Sequence, residues 1–302
     1  MKKSSEIHIR DPFILPVKET GVYYLYGTTD LDPSNEAGKG FDYYKSTDLE
    51  NWDGPFKAFA PPSDFWADRN FWAPEVHRFR DEYYMLASFK SQSACRGTQI
   101  LKADTPEGPF VPLTETPVTP TDWECLDGTL YVDGNGTPWL VFCHEWLQVF
   151  DGAVCAMPLS EDLVQAVGVP ILLFRASEAA WVWKTSTVVD VAGTQCEGFV
   201  TDGPFLYRLA SGELILLWSS FGENGYAISI ATSSNGEISG DWIQKEEPIY
   251  KKNGGHGMLF HTFEGALKLA IHSPNHDPLE RPIFLSVIEA QGQLQGDEKY
   301  DE

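Results

Sequence analysis

One arrangement recurs along this chain and constrains its fold more than any single residue does: a polar anchor, an apolar run, a turn, then an aromatic or aliphatic run. The copies read RDPFILPVKETGVYYLYG from residue 10, WAPEVHRFRDEYYMLAS from 72, LDGTLYVDGNGTPWLVFC from 126, TDGPFLYRLASGELILLWSS from 201 and GHGMLFHTFEGALKLAIHS from 255. Each is followed by a further pair of short runs, such as FDYYKSTDLENW after the first and IFLSVIEAQGQL after the last. Helical spacing of apolar residues is interrupted everywhere by Gly or Pro, whereas β-branched and aromatic runs bounded by Gly, Pro, Asn and Asp are frequent. The chain reads as all-β, built from five similar units of four strands.

Five four-stranded units around one axis make a five-bladed β-propeller. The first strand of every blade then lines the central channel, so residues at the same end of each first strand become neighbours despite their distance in sequence. The anchors expected there are Asp11, Glu75, Asp127, Asp202 and His256, spaced 52 to 75 residues apart. A single propeller over residues 1–302 is expected, ending in an acidic tail from about residue 295.

Charge narrows the partners. Lys and Arg number 22 against 44 Asp and Glu, a formal charge of −22 that repels phosphate backbones and anionic lipid, so neither nucleic acid nor membrane is an expected partner. No apolar run is long enough to span a bilayer. The five cysteines, at 95, 125, 143, 155 and 196, show neither a C-x-x-C pair nor regular spacing and read as buried free thiols. The opening MKKSSEIHIRDP lacks the apolar core of a secretory signal, which makes a cytoplasmic location the expectation.

Three anchors are aspartates, Asp11, Asp127 and Asp202. One Asp beside Pro or Gly at a strand start is ordinarily a turn residue bonded to its own backbone. Three converging on one axis are different, because like charges brought together raise the energy unless function retains them. Carboxylates around a cleft with few basic groups suit glycoside hydrolysis, in which one acid protonates the leaving oxygen and another carboxylate activates water or attacks directly.

RDPFIL, WAPEV, LDGTLYVDGNGTPWLVF, TDGPFLYR and GHGMLF, in this order over nearly the whole chain, resemble glycoside hydrolase family 43. The resemblance implies a five-bladed propeller that hydrolyses arabinofuranosides or, secondarily, xylosides with inversion, requires no cofactor, and takes a plant cell-wall-type oligosaccharide or small glycoside. It makes Asp11 the general base, Asp127 the modulator of the acid's pKa, and Asp202 the general acid. The family's acid is usually Glu in an E-G-P context, so Asp202 is a departure, shorter by one methylene, roughly 1.5 Å of reach. Glu197, in QCEGFVTDGP, is the alternative acid. His256 either lies near a water-coordinated structural calcium, as the resemblance implies, or packs in the channel without metal. Arg281, in LERP, resembles an arginine aimed at the acid and the sugar, or serves a surface ion pair.

Aromatic faces suit the C–H faces of sugars, and Trp72, beside Pro74 and Glu75, is the preferred platform among tryptophans that otherwise fill blade cores. Glu75 and His144, the latter in CHEW, complete the expected substrate contacts. Three rivals stand beside this reading. A retaining fructosidase would carry RDP in a later blade, and a glycoside phosphorylase would need a basic cluster at the channel. A noncatalytic carbohydrate-binding propeller would keep the aspartates for hydroxyl contacts alone.

Overall fold

The structure, a computed structural model, describes residues 1–31, 37–188, 193–290 and 293–296. It is a five-bladed β-propeller with four antiparallel strands in each blade, in simple meander order from the axis outward. The innermost strands are Arg10–Val17, Arg69–Phe79, Cys125–Val132, Asp202–Arg208 and Gly255–His261, in blades 1 to 5. The second strands are Val22–Thr28, Glu82–Lys90, Pro138–His144, Leu214–Gly222 and Leu267–Ser273. Among the described residues the one α-helical turn is Trp146–Val149, and no helix is long and apolar enough to cross a membrane.

The near-continuous apolar character of the second strands follows from their position, since both faces of each blade are covered by neighbouring blades. In blade 2, for example, Tyr83, Tyr84, Met85, Leu86, Ala87 and Phe89 are all buried. Five hydrophobic clusters fill the five junctions, from Tyr26, Phe41, Val76 and Phe89 between blades 1 and 2 to Ile14, Leu25, Met258 and Phe260 between blades 1 and 5. Burying side chains of this size contributes about 1.5–3 kcal/mol each.

Ring closure does not use a blade that mixes strands from both chain ends. Lys2–Lys3 adds a fifth strand to the outer edge of blade 1, and the following segment packs Ile7 and Ile9 into the seam with blade 5. Backbone contacts fasten it: the Ile9 N–H donates to the Glu280 carbonyl at 3.4 Å, and Arg281 Nε donates to the Ser5 carbonyl at 3.0 Å. The fourth strand of blade 3 lies at Ile171–Arg175, beyond the GAVCAMPLSEDL run. Gln293–Gly296 forms the outer strand of blade 5, and the rest of the expected tail lies outside the described residues.

Every innermost strand carries a bulge near its start, where register is lost between Arg10 and Phe13, Trp72 and Glu75, Leu126 and Thr129, Asp202 and Phe205, and Gly255 and Met258. The residue opening each bulge has positive φ: Asp11 (53°), Ala73 (46°), Asp127 (54°), Gly203 (53°) and His256 (48°). These five are the equivalent positions around the axis. Two expected anchors are therefore out of register: Glu75 lies two residues past the bulge residue of blade 2, and Asp202 one residue before that of blade 4.

Candidate active site

The bulges build the site by breaking strand alternation, so that two successive side chains can face the channel. Arg10 with Asp11, and Leu126 with Asp127, both line the axial cavity, together with Trp72, Asp202 and His256. The lining thus has two tiers. Asp11, Asp127 and His256 come from the bulge positions, whereas Arg10, Trp72, Leu126 and Asp202 come from the residue before. Thr28, Glu145, Trp146 and Tyr226 complete the wall.

Positive φ is unfavourable for residues with a Cβ, and interblade bonds hold it. The bulge N–H of each blade donates to a side chain of the blade before it: Asp11 to His272 Nδ1 at 3.1 Å, Ala73 to Thr28 Oγ1 at 2.8 Å, Asp127 to Ser88 Oγ at 2.9 Å and His256 to Ser219 Oγ at 2.8 Å. These acceptors lie on second strands, paired with Gly255, Arg10, Trp72 and Asp202 respectively. In blade 3 the corresponding residue is Cys143, and the Gly203 N–H donates instead to Asp127 Oδ2 at 3.0 Å. Gly203 tolerates no side chain, since a Cβ there would sit 2.7 Å from the His256 ring.

His256 is the electrostatic centre. Its Nδ1 lies 3.1 Å from Asp11 Oδ1 and 3.7 Å from Asp127 Oδ2. Burial disfavours the charged imidazole, but Asp11, Asp127 and Asp202 together outweigh it and hold its pKa above the usual value. Nδ1 of His256 is engaged by carboxylates, so a water-coordinated calcium beside this ring would be held from Nε2, with water supplying its oxygens.

The three aspartates are driven apart. Burial alone would raise Asp11, but His256, Arg10 and the Thr28 hydroxyl, which donates to Oδ2 at 2.8 Å, leave it below the ordinary carboxylate range. Burial raises Asp202, and Asp11 and Glu145 add to the effect; His256 and the Tyr226 hydroxyl, donating to Oδ2 at 3.0 Å, offset it only in part. Burial likewise raises Asp127, reinforced by Asp202 and Asp11. One carboxylate is kept ionised, and two hold protons more readily. His272, buried and lowered to about 4 chiefly by desolvation, is neutral: Nδ1 accepts the Asp11 N–H, so Nε2 carries the proton toward Asn275 Oδ1 at 3.1 Å.

Trp72 lines the cavity with the Arg96 guanidinium 4.2 Å above its ring, and Arg96 is paired in turn with the buried Glu145. Four expectations are corrected. Glu75 is bonded to His77 Nε2 at 2.9 Å and does not line the cavity, because the bulge of blade 2 presents Trp72. His144 stacks on Trp123 at 4.2 Å and contacts Gln148, also outside the cavity lining. Arg281 is spent on the carbonyls of Ser5, Pro278 and Glu280 at the ring seam, and Arg10 is the guanidinium beside the aspartates. Glu197 is exposed on the hairpin of Thr185–Val188 and Gln195–Gly198, bonded to Lys184 at 2.7 Å.

Thr28, Tyr226 and His272 escape a reading of the sequence by strand anchors. A signal was nevertheless present: Ser88, Cys143, Ser219 and His272 fall at or near the ends of the quoted repeats, where a small or polar residue closes an otherwise apolar strand.

Comparison with known proteins follows the same lines. The family described as glycosyl hydrolases family 43 matches residues 5–292. An endo-arabinase structure from Bacteroides thetaiotaomicron is similar with a TM-score of 0.87 and 42% identity, covering 96% of this chain and 98% of that one. An extracellular endo-α-(1→5)-L-arabinanase of Bacillus subtilis is 26% identical over 152 residues; the match takes in 46% of this chain and 44% of that curated relative, less than half its length. An endo-1,4-β-xylanase structure from B. thetaiotaomicron, 22% identical with a TM-score of 0.74 over 99% and 97% of the two chains, shares the fold.

Proposed function

Because the chain belongs to the glycosyl hydrolases of family 43, we propose that it cleaves α-L-arabinofuranosyl linkages, within arabinan-type chains, with inversion of configuration. The observation that carries this reading is the division of labour among the axial carboxylates, with Asp11 held ionised and Asp202 held toward its protonated form in one cavity. Paired carboxylates with separated pKa values are what general acid–base hydrolysis of a glycoside needs.

In this mechanism Asp11 accepts a proton from water as that water attacks the anomeric carbon. Asp202 gives its proton to the departing glycosidic oxygen. Asp127 is buried beside Asp202, is held toward its protonated form partly by the Asp202 charge, and fixes the blade 4 backbone through the Gly203 N–H. Protonated His256 lowers the energy of ionised Asp11 and orients it. Trp72, braced by Arg96, offers an aromatic face to a sugar ring. Arabinan is favoured over xylan because the endo-arabinase match reaches 42% identity, whereas the xylanase match is at the level of fold.

The test is incubation with linear α-1,5-arabinan, xylan and 4-nitrophenyl arabinofuranoside, with the anomer of the first product followed by NMR. Internal cleavage of arabinan giving the inverted anomer is expected. A retained anomer would overturn the base role of Asp11, and xylan cleavage without arabinan cleavage would overturn the substrate.

A further inference from the structure

Arg10 reaches from the axial cavity into a second group of side chains at the seam between blades 5 and 1. Its guanidinium donates to Glu280 Oε1 at 2.8 Å, Asp277 Oδ1 at 3.2 Å and Asn275 Oδ1 at 3.0 Å. This grip uses one oxygen of each carboxylate. The other oxygen of Glu280, Oε2, is buried on a side chain of 0% exposure and has no hydrogen-bond partner. A buried acceptor of this kind is costly unless something cationic or a donor satisfies it.

The group facing it is His8. Its Nε2 lies 3.4 Å from Glu280 Oε2, yet neither ring nitrogen makes a hydrogen bond of good geometry, although the Thr29 backbone is near enough to act on the ring. His8, Asp277 and Glu280 each place one ligand atom within 4.8 Å of the other two. Ligands at 2.0–2.2 Å from a tetrahedral ion lie roughly 3.3–3.5 Å apart, which is the His8–Glu280 separation.

We propose that His8 Nε2, Asp277 and Glu280 Oε2 bind a divalent ion of the zinc type, with water in the fourth position. One imidazole and two carboxylates suit zinc, whereas calcium calls for a larger, all-oxygen set. Arg10 is the outer support, fixing both carboxylates through the oxygens that the ion does not use. Asp277 is partly exposed and leaves the ion a path from solvent. The site joins the segment before the first blade to the loop of blade 5, across a seam that no shared strand closes. The ion is a clip on the ring, and its inference does not rest on the glycosidase reading. Its competitor is a proton shared between Asp277 and Glu280.

Tag-free protein, stripped with chelator and dialysed, is titrated with zinc chloride by calorimetry at pH 7.5, and its melting temperature is followed with and without zinc. One zinc per chain with micromolar or tighter affinity and a higher melting temperature are expected. His8→Ala and Asp277→Asn should each weaken binding by about a hundredfold or more and remove the thermal effect, while Glu197→Gln should change neither. Absence of saturable binding by the wild type at 1 mM zinc, as a proton-filled site requires, would overturn the proposal. So would stoichiometric binding that survives both substitutions. Asp277→Asn replaces a partly exposed side chain and keeps the test valid should His8→Ala fail to fold.

Discussion

At four of the five junctions, the bulge N–H of one blade donates to a second-strand side chain of the preceding blade: the hydroxyl of Thr28, Ser88 or Ser219, or a ring nitrogen of His272. At the junction of blades 3 and 4 that position is Cys143, a poor acceptor, and the Gly203 N–H turns to the carboxylate of Asp127. Blade 4 also differs in what it presents, since its bulge residue is a glycine and its carboxylate, Asp202, comes one residue earlier. Asp11 and Asp202 are therefore the same residue type in different tiers with different company. Both feel His256, but Asp11 also has the Arg10 guanidinium and the Thr28 hydroxyl, whereas Asp202 has the Asp11 and Glu145 carboxylates and a tyrosine hydroxyl. Position relative to the bulge separates the carboxylate held ionised from the one held toward its protonated form.

Asp11→Ala breaks the comparison most completely. It should lower kcat on arabinan by about 10³–10⁴-fold, near the upper range for loss of a general base, with an unchanged circular dichroism spectrum. Retained activity would remove the base from blade 1. Asp202→Asn should cost about 10²–10³-fold on arabinan and far less on a nitrophenyl glycoside, whose leaving group needs little protonation. An equal loss on both substrates would mean that Asp202 does not act as the acid.

Gly203→Ala tests the odd junction itself. The positive φ and the clash with His256 should destabilise the fold by about 1–3 kcal/mol, read as a lower denaturant midpoint with an unchanged m-value.

Tyr226→Phe is a finer probe. The hydroxyl favours ionised Asp202, so removing it raises the Asp202 pKa. Because the acid acts when protonated, activity falls as pH rises through that pKa, and the falling limb of kcat/KM should move to higher pH. The rising limb, set by Asp11, should stay below the ordinary carboxylate range. A falling limb that did not move would detach Tyr226 from the acid.

Cys143→Ser carries the smallest expected effect. It gives blade 3 the hydroxyl that its counterparts have, and Gly203 then has an acceptor other than Asp127. Since the Gly203 N–H lowers the Asp127 pKa, its loss should alter kcat by only a few-fold, with stability held near wild type. A large loss of folding would show that the thiol matters for packing alone.

The sequence by itself determined the class of this molecule. Repeats of strand, turn and strand, with second strands as apolar as VYYLY and LILLW, demand sheets covered on both faces, and five copies around one axis satisfy that demand. Asp11, Asp127, Asp202, His256 and Trp72 were legible as residues of the cavity because each lies at or beside the start of an innermost strand. Tertiary structure decided the rest. A bulge shifts the residues after it by one place relative to the partner strand, and no local pattern in TDGPF or WAPEV states whether the positive-φ position falls on the carboxylate, before it or after it. Glu75 and Glu197 were indistinguishable from cavity carboxylates until pairing turned one to His77 and left the other on an exposed hairpin. Arg281, expected at the acid, is held at the seam because ring closure uses the N-terminal segment, and Arg10 stands beside the aspartates. The charge of each aspartate was settled last, since a carboxylate's pKa depends on groups that approach it from other blades, and those approaches exist only once the ring has closed.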